Sequence, residues 1–335
     1  MPRGGNARHM PRLAFGLFLL LVPAFAGAAD ALRVAVISDL NGSYGSTRYG
    51  ASVDSAVAHI VELKPDLVIS TGDMVAGQRR PHLSRRQVER MWTSFHTHVS
   101  APLAAAGIPL AVTPGNHDGS ANRGFERERR IYGEQWAQRA PQVNFVDKSG
   151  YPFHYAFEVG GVLFVSLDAT TVGHLPATQM EWLRKLLETE GPKHRHRILF
   201  SHVPLWPFTH EREREFIGDP RLQSFLETGD VDVYLSGHHH AFFPGLKDGV
   251  AFVSQSCLGG GPRRLIGATE KSPKSLTLLT FAADDIEVAA FKAPQFEEEI
   301  DWSTLPRTVR SRVAELVRAD LAPGPVRKAA NPGSR

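Results

Sequence analysis

The stretch Thr113-Pro114-Gly115-Asn116-His117-Asp118 decides the fold. The apolar run Ile108 to Val112 leads straight into it, and a Pro-Gly pair stops the strand. Three residues able to bind a metal or move a proton follow at once. In open α/β sheets ligands bind beyond the carboxyl ends of the strands, so a site is expected here. By itself Gly-Asn-His-Asp is also an ordinary polar turn. Four other strand ends in the chain carry matching groups, and they make the stretch specific.

Working outward, Leu32 to Ser38 reads as a buried strand ending at Asp39, and Asp66 to Ser70 as a second ending at Thr71-Gly72-Asp73. Between them Val53, Ala56, Val57, Ile60 and Val61 recur at helical spacing. A longer helical pattern, Ser84 to Ala106, precedes the third strand. Strand and helix alternating in this rhythm predict parallel βαβ units. Arg123 to Arg139 reads as a charged surface helix, a candidate lid. Phe153 to Val159 and Val162 to Leu167 flank Gly160-Gly161 as a hairpin. After a helix over Pro176 to Leu187, Arg197 to Phe200 is a strand ending at Ser201-His202. A helix near Arg221 to Glu227 and the strand Val231 to Leu235 lead to Gly237-His238-His239-His240. Strands at 251–254, 276–281 and 286–290 make the second half more antiparallel. A helix is expected over Leu305 to Leu321, in an extension spanning 295–322, and a disordered tail over 323–335.

The strand ends, in order, offer Asp39 with Asn41, Asp73, Asn116 with His117 and Asp118, His202, and His238 with His240. Carboxylate oxygen and imidazole nitrogen together suit Mn, Fe or Zn better than Ca or Mg. Six or seven candidate ligands exceed the needs of one tetrahedral ion, so two ions sharing a carboxylate are expected. His239 points away from its neighbours if the segment is extended and is left out of the set. Singly, each residue also fits a bland role: a turn cap for Asp39, a satisfied core histidine for His202, a surface cluster for His238 to His240.

This series resembles the calcineurin-like metallophosphoesterases, the binuclear metallophosphatase superfamily. Their pattern is D-x-H, G-D, G-N-H-D/E, a lone His, and G-H-x-H. The chain has Asp39-Leu40-Asn41, Gly72-Asp73, Gly115-Asn116-His117-Asp118, His202 and Gly237-His238-His239-His240. The resemblance covers residues 32–291 and implies an α/β fold, a four-layer α/β/β/α sandwich of two mixed β-sheets flanked by helices, within a domain over 30–294. It implies Asp73 as the bridging carboxylate, Asp39 and His240 at a first metal, and Asn116, His202 and His238 at a second. It implies His117 as the catalytic histidine, with Asp118 fixing its tautomer. The implied activity is hydrolysis of a small-molecule phosphodiester or phosphomonoester, by water acidified between two divalent or trivalent ions.

Asn41 departs from the pattern. A neutral carbonyl oxygen is a weaker donor to a transition metal than imidazole, so either Asn41 ligates the first metal weakly or it meets substrate. A weaker or differently selective first site follows. A catalytically reduced metal- or ligand-binding protein on the same fold is the alternative that Asn41 keeps open. Ala76, three residues after Asp73, is not tyrosine, so the purple acid phosphatase ligand pattern is absent. Trp206, Phe208, Phe242 and Phe243 stand near the metal motifs as pocket or core residues, and Arg79, Arg80, Arg263 and Arg264 are candidate phosphate contacts or solvated charge.

Arg3, Arg8 and Arg12, the apolar run Leu13 to Phe25, and Ala26-Gly27-Ala28 read as a signal peptide over 1–28. Export to a periplasm or outside the cell is therefore expected, with no transmembrane helix after cleavage. Three of the 38 basic residues lie in that segment, which leaves 35 against 35 acids. Such a balance asks for neither nucleic acid nor an anionic membrane. Cys257, the single cysteine, cannot form an intrachain disulfide and reads as a small buried group. Nothing in the sequence sets an oligomeric state.

Overall fold

Side-chain alternation along the strands builds the layers. The computed structural model describes residues 31–282 and 285–329, so the signal-peptide expectation lies outside the described residues. Strand β1 (Leu32–Ile37) sends Val34 and Val36 to one face and Ala35 and Ile37 to the other. Helix α1 (Ala51–Leu63), strand β2 (Leu67–Ser70) and helix α2 (Arg85–Phe95) follow. Next come α3 (Ala101–Ala105), β3 (Leu110–Val112), α4 (Asn116–Gly119) and α5 (Glu126–Ala137). The middle of the chain supplies β4 (Asn144–Gly150), β5 (His154–Val159), β6 (Val162–Ser166), α6 (Ala177–Thr189), β7 (His196–Ser201), α7 (Pro220–Thr228) and β8 (Val233–Ser236). The remainder is strands: β9 (Phe243–Lys247), β10 (Val250–Ser254), β11 (Ser275–Phe281), β12 (Ile286–Lys292), β13 (Glu298–Glu299), β14 (Thr308–Arg310), β15 (Glu315–Arg318) and β16 (Val326–Lys328).

One sheet runs β13-β12-β11-β1-β2-β3, with β16 beside β12; the other runs β14-β15-β9-β10-β8-β7-β6-β5-β4. Strands β1, β2 and β3 are parallel, as are β6, β7, β8 and β10. The β1–β11, β9–β10 and β5–β6 pairs are antiparallel, so both sheets are mixed. Between the sheets lies a core that includes Val34, Val36, Phe157, Phe164, Ile198 and Phe200. Helices α1, α2 and α5 cover the outer face of the first sheet, where Trp92, Phe95 and Trp136 pack. Helices α6 and α7 cover the second, against Leu163, Val165 and Leu199. The result is the four-layer α/β/β/α sandwich. The Tyr155 hydroxyl ties the layers together: it accepts from Val112 N at 2.9 Å and donates to Val112 O at 2.7 Å, just before the Thr113 turn.

Four expectations change. The helix over 84–106 is one rod interrupted by a π turn at His96–Ser100, beside Pro102, which has no N–H to give the carbonyl four residues back. The charged helix at 123–139 is not free on the surface, since Ile131, Tyr132 and Trp136 are buried in the core over the first sheet. The segment 305–321 is not a helix. Val309, Leu316 and Arg318 are buried, the last two with a period of two, and β15 adds to the open edge at β9. An unpaired sheet edge offers a row of backbone partners that outweighs local helical spacing. Likewise Val326–Lys328, expected within a disordered tail, pairs with β12; residues 330–335 of that tail lie outside the described residues. No helix among the described residues is long and apolar enough to cross a membrane.

Candidate metal centre

The carboxyl ends of β1, β2 and β3 in one sheet and of β7 and β8 in the other meet at one place. Parallel pairing sets this, because neighbouring strands in register end side by side. Backbone bonds then lace the loops together, with Asp39 N donating to Gly72 O at 3.1 Å and Leu40 N to Asp73 O at 2.9 Å. Gly115 has no side chain because the space is taken: a Cβ there would lie 2.1 Å from both Asp73 N and Asp73 Oδ1. A Cβ on Gly237 would lie 2.2 Å from Ser38 Oγ and 2.9 Å from Asp39 Oδ2. Asp39, Asp73, His238 and His240 all hold left-handed backbone, with φ of 50°, 54°, 64° and 51°. Such conformations cost about 1–3 kcal/mol each and concentrate at functional sites.

Two groups of donors flank Asp73. On one side His202 Nε2 lies 2.9 Å from Asn116 Oδ1, 3.3 Å from His238 Nδ1 and 3.4 Å from Asp73 Oδ1. Those separations approach the edge of a tetrahedron around an ion with bonds of about 2.0–2.1 Å, roughly 3.3 Å. On the other side His240 Nε2 lies 3.0 Å from Asp39 Oδ1. The Asp39 carboxylate is fully buried. Its Oδ2 accepts from Ser38 Oγ and His238 N, while Oδ1 has no hydrogen bond of good geometry. A buried orphan oxygen of this kind is costly without a partner, and a cation supplies one. Donor atoms of Asp39, Asp73 and His202 all fall within 4.8 Å of one another. Asn41 lines the same cavity, its amide nitrogen 3.5 Å from Val75 O.

Backbone carbonyls fix three imidazole tautomers. Nδ1 of His202, His240 and His117 lies 2.9, 2.9 and 3.0 Å from the carbonyl oxygens of Thr71, Gly261 and Gly77. A carbonyl only accepts, so each Nδ1 carries the proton and each Nε2 is free to bind a metal or a proton. Electrostatics agree. Burial would raise the Asp39 and Asp73 carboxyls, yet His240 holds the first, and His202 with His117 the second, below the usual carboxylate range. Against the same burial, Asp39 raises His240 and Asp73 raises His202. The mixed oxygen and nitrogen donors fit Mn, Fe or Zn.

Asp118 does not touch the His117 ring. It is buried and accepts from Val75 N at 2.8 Å and Gly115 N at 3.0 Å, so it holds the turn while Gly77 orients the imidazole. Burial, then the charge of Asp73, pushes its carboxyl up to about 7. His239 faces away from the centre, buried between Phe208 N and Glu215 O. Trp206, Phe208, Phe242 and Phe243 all belong to the core, so none serves as a pocket aromatic. The cavity over the donors is about 490 Å³, with Tyr44, Gln78, Arg212, Glu215 and Arg263 in its lining. Of the four candidate arginines only Arg263 is there. Tyr44 sits 5.1 Å from the His117 ring, centroid to centroid, and Gln78 Oε1 accepts from Asn116 Nδ2 at 2.8 Å. Gln78 and Glu215 carry no signal in the sequence, because both lie in loops with no strand end to mark them.

A family model described as calcineurin-like phosphoesterase matches residues 32–242. The chain is 24% identical over 231 residues to purple acid phosphatase 15 of Arabidopsis thaliana, covering 63% of this chain and 40% of that protein. It is 25% identical over 213 residues to the serine/threonine-protein phosphatase CPPED1 of Danio rerio, covering 58% and 60%. The chain thus spans about half the length of these relatives. Among solved structures, purple acid phosphatase PPD1 from yellow lupin (Lupinus luteus) seeds superposes with a TM-score of 0.60 at 18% identity, over 79% of this chain and 52% of that one.

Proposed function

The chain belongs to the calcineurin-like phosphoesterase family, and from that premise we propose that it is a metal-dependent phosphoric ester hydrolase with a binuclear centre. One observation carries the reading: the Asp39–His240 pair and the Asn116–His202–His238 group gather at one place with the Asp73 carboxylate. Asp73 would bridge two ions. Asp39 and His240, with Asn41 beside them, would hold the first; Asn116, His202 and His238 would hold the second. When bound, the ions acidify a water and draw charge from the phosphoryl oxygens.

The chain's own groups do the rest. His117 Nε2 faces the cavity 3.7 Å from Asp73 Oδ2, with Nδ1 anchored on Gly77 O. It stabilises charge on the phosphoryl group and, when protonated, gives its Nε2 proton to the leaving oxygen. Tyr44 packs against that ring at a tilt of 45°. The phosphatase names of the relatives support the activity. Ala76 stands where a purple acid phosphatase has tyrosine, so a first ion would be held here by a different set. The leader-like run at 13–28 supports export to a periplasm or beyond the cell.

With the four neighbouring aromatics in the core, the lining favours a polar leaving group, and phosphomonoesters become at least as good a fit as diesters. The test is hydrolysis of p-nitrophenyl phosphate and bis-p-nitrophenyl phosphate, side by side, by protein chelated and then restored with Mn, Fe, Zn or Mg. Metal-dependent release from the monoester, equal to or above that from the diester, is expected. Release from neither substrate with any metal would favour a ligand-binding role.

A further inference from the structure

The structure assigns Glu215 as a positioning residue that aims His238 at the second metal site, an inference that rests on the binuclear reading. His238 differs from the other imidazoles of the centre. Its Nδ1, not its Nε2, points at His202, 3.3 Å away, so no backbone carbonyl is available to fix the tautomer from the Nδ1 side. The outward nitrogen, Nε2, lies 2.9 Å from Glu215 Oε2. An ionised carboxylate only accepts. His238 therefore carries its proton on Nε2, and Nδ1 presents a lone pair to the site. Carboxylates paired with the far nitrogen of a ligating imidazole fix its tautomer and orientation and raise its basicity.

Glu215 is itself held in place. Its other oxygen, Oε1, pairs with Arg212, and its backbone carbonyl lies 2.9 Å from His239 Nε2. His239 Nδ1 in turn accepts from Phe208 N at 3.0 Å. One ring nitrogen accepts and the other donates, so the link takes a neutral His239 ring. The buried histidine between two candidate ligands thus latches the 208–215 loop onto the His238–His240 turn, and the loop delivers the carboxylate. Arg263 Nη1 also donates to His238 O. His238 is gripped at both its main chain and its outer nitrogen.

The first site meets this arrangement only through the main chain, where Asp39 Oδ2 accepts from His238 N. The side chains of Asp39 and His240 otherwise meet Ser38 and Gly261, while the Glu215 carboxylate bonds His238 and Arg212. An effect of Glu215 on one ion and not the other is therefore the signature of positioning. Glu215 is 30% exposed on a loop, so its replacement spares the core.

The experiment is calorimetric titration of Mn into chelated protein, wild type against Glu215→Ala and Glu215→Gln, with thermal unfolding of the chelated forms as a check. Glu215→Ala is expected to weaken one of two sites about 10–100-fold and to leave the other within twofold. Glu215→Gln keeps an acceptor oxygen in reach of Nε2 and is expected to recover most of that loss. Wild-type affinity at both sites in Glu215→Ala would overturn the inference while leaving the binuclear reading intact. So would equal weakening of both sites. Wild-type protein that binds no Mn at all would overturn the binuclear reading first.

Discussion

His202 Nε2 stands 2.9 Å from Asn116 Oδ1, although the two residues come from different sheets and lie 86 positions apart. With the His202 proton on Nδ1 and given to Thr71 O, two lone pairs face each other. Only a proton or a cation between them makes that approach favourable. Replacing Asn116 by Ala removes one donor and leaves His202, His238 and Asp73 to hold the second ion. Metal content after dialysis should fall from two equivalents to one, measured by elemental analysis. Two equivalents retained would show that Asn116 is not part of the donor set.

His117 and Asp118 are adjacent, yet their roles separate. His117→Ala should reduce turnover about 10²–10⁴-fold with stability unchanged, and a loss below tenfold would remove the acid role. Asp118→Ala should act on stability instead, because it orphans the buried N–H groups of Val75 and Gly115. Each orphan costs about 1–3 kcal/mol, read as a lower urea midpoint. Equal stability of Asp118→Ala and wild type would contradict the assigned contacts.

Asn41 lines the cavity where the family motif has histidine. Asn41→His should tighten one of the two metal sites and leave the other near its original affinity. Titration with Zn, which favours nitrogen donors, is the suitable measurement. Unchanged affinity at both sites would place Asn41 outside the coordination sphere, as a substrate contact.

His96, in the π turn, offers a pH dependence far from the centre. Burial, then the charge of Arg139, lowers its imidazole to about 4 from an ordinary 6.5; its ring stacks on Trp92 and meets Ser100 Oγ and Gln135 Oε1. A depressed folded value means that the unfolded chain binds the proton more readily. Stability from this group is complete above pH 6.5 and is lost as pH falls toward 4. His96→Gln should flatten the stability-versus-pH curve over that window relative to wild type. Parallel curves for the two proteins would assign the slope to other groups.

The first half of the fold was legible because each parallel strand is a continuous apolar run closed by Gly, Pro or a polar ligand. The ends of β1, β2, β3, β7 and β8 could therefore be read as one site from sequence. Two strands in the second sheet were harder. In β4 the polar run Asp147-Lys148-Ser149 leaves too little apolar alternation to mark a strand. In β9 Pro244 and Gly245 stand inside the strand, and both residues ordinarily signal a break. The strands at 308–310 and 315–318 depend on a partner edge made much earlier in the chain, so their local spacing misled. Within the site, residue type identified the donors, but contact partners were not readable. That Asp118 holds backbone rather than imidazole, and that Glu215 reaches His238, are consequences of loop geometry.

The central claim, two ions acting together across Asp73, is tested most directly by titrating Mn into chelated protein while following p-nitrophenyl phosphate hydrolysis in the same samples. Two equivalents should bind, turnover should rise with the second, and Asp73→Asn should abolish it. Full turnover with one equivalent, or turnover indifferent to both chelation and Asp73→Asn, would contradict the account.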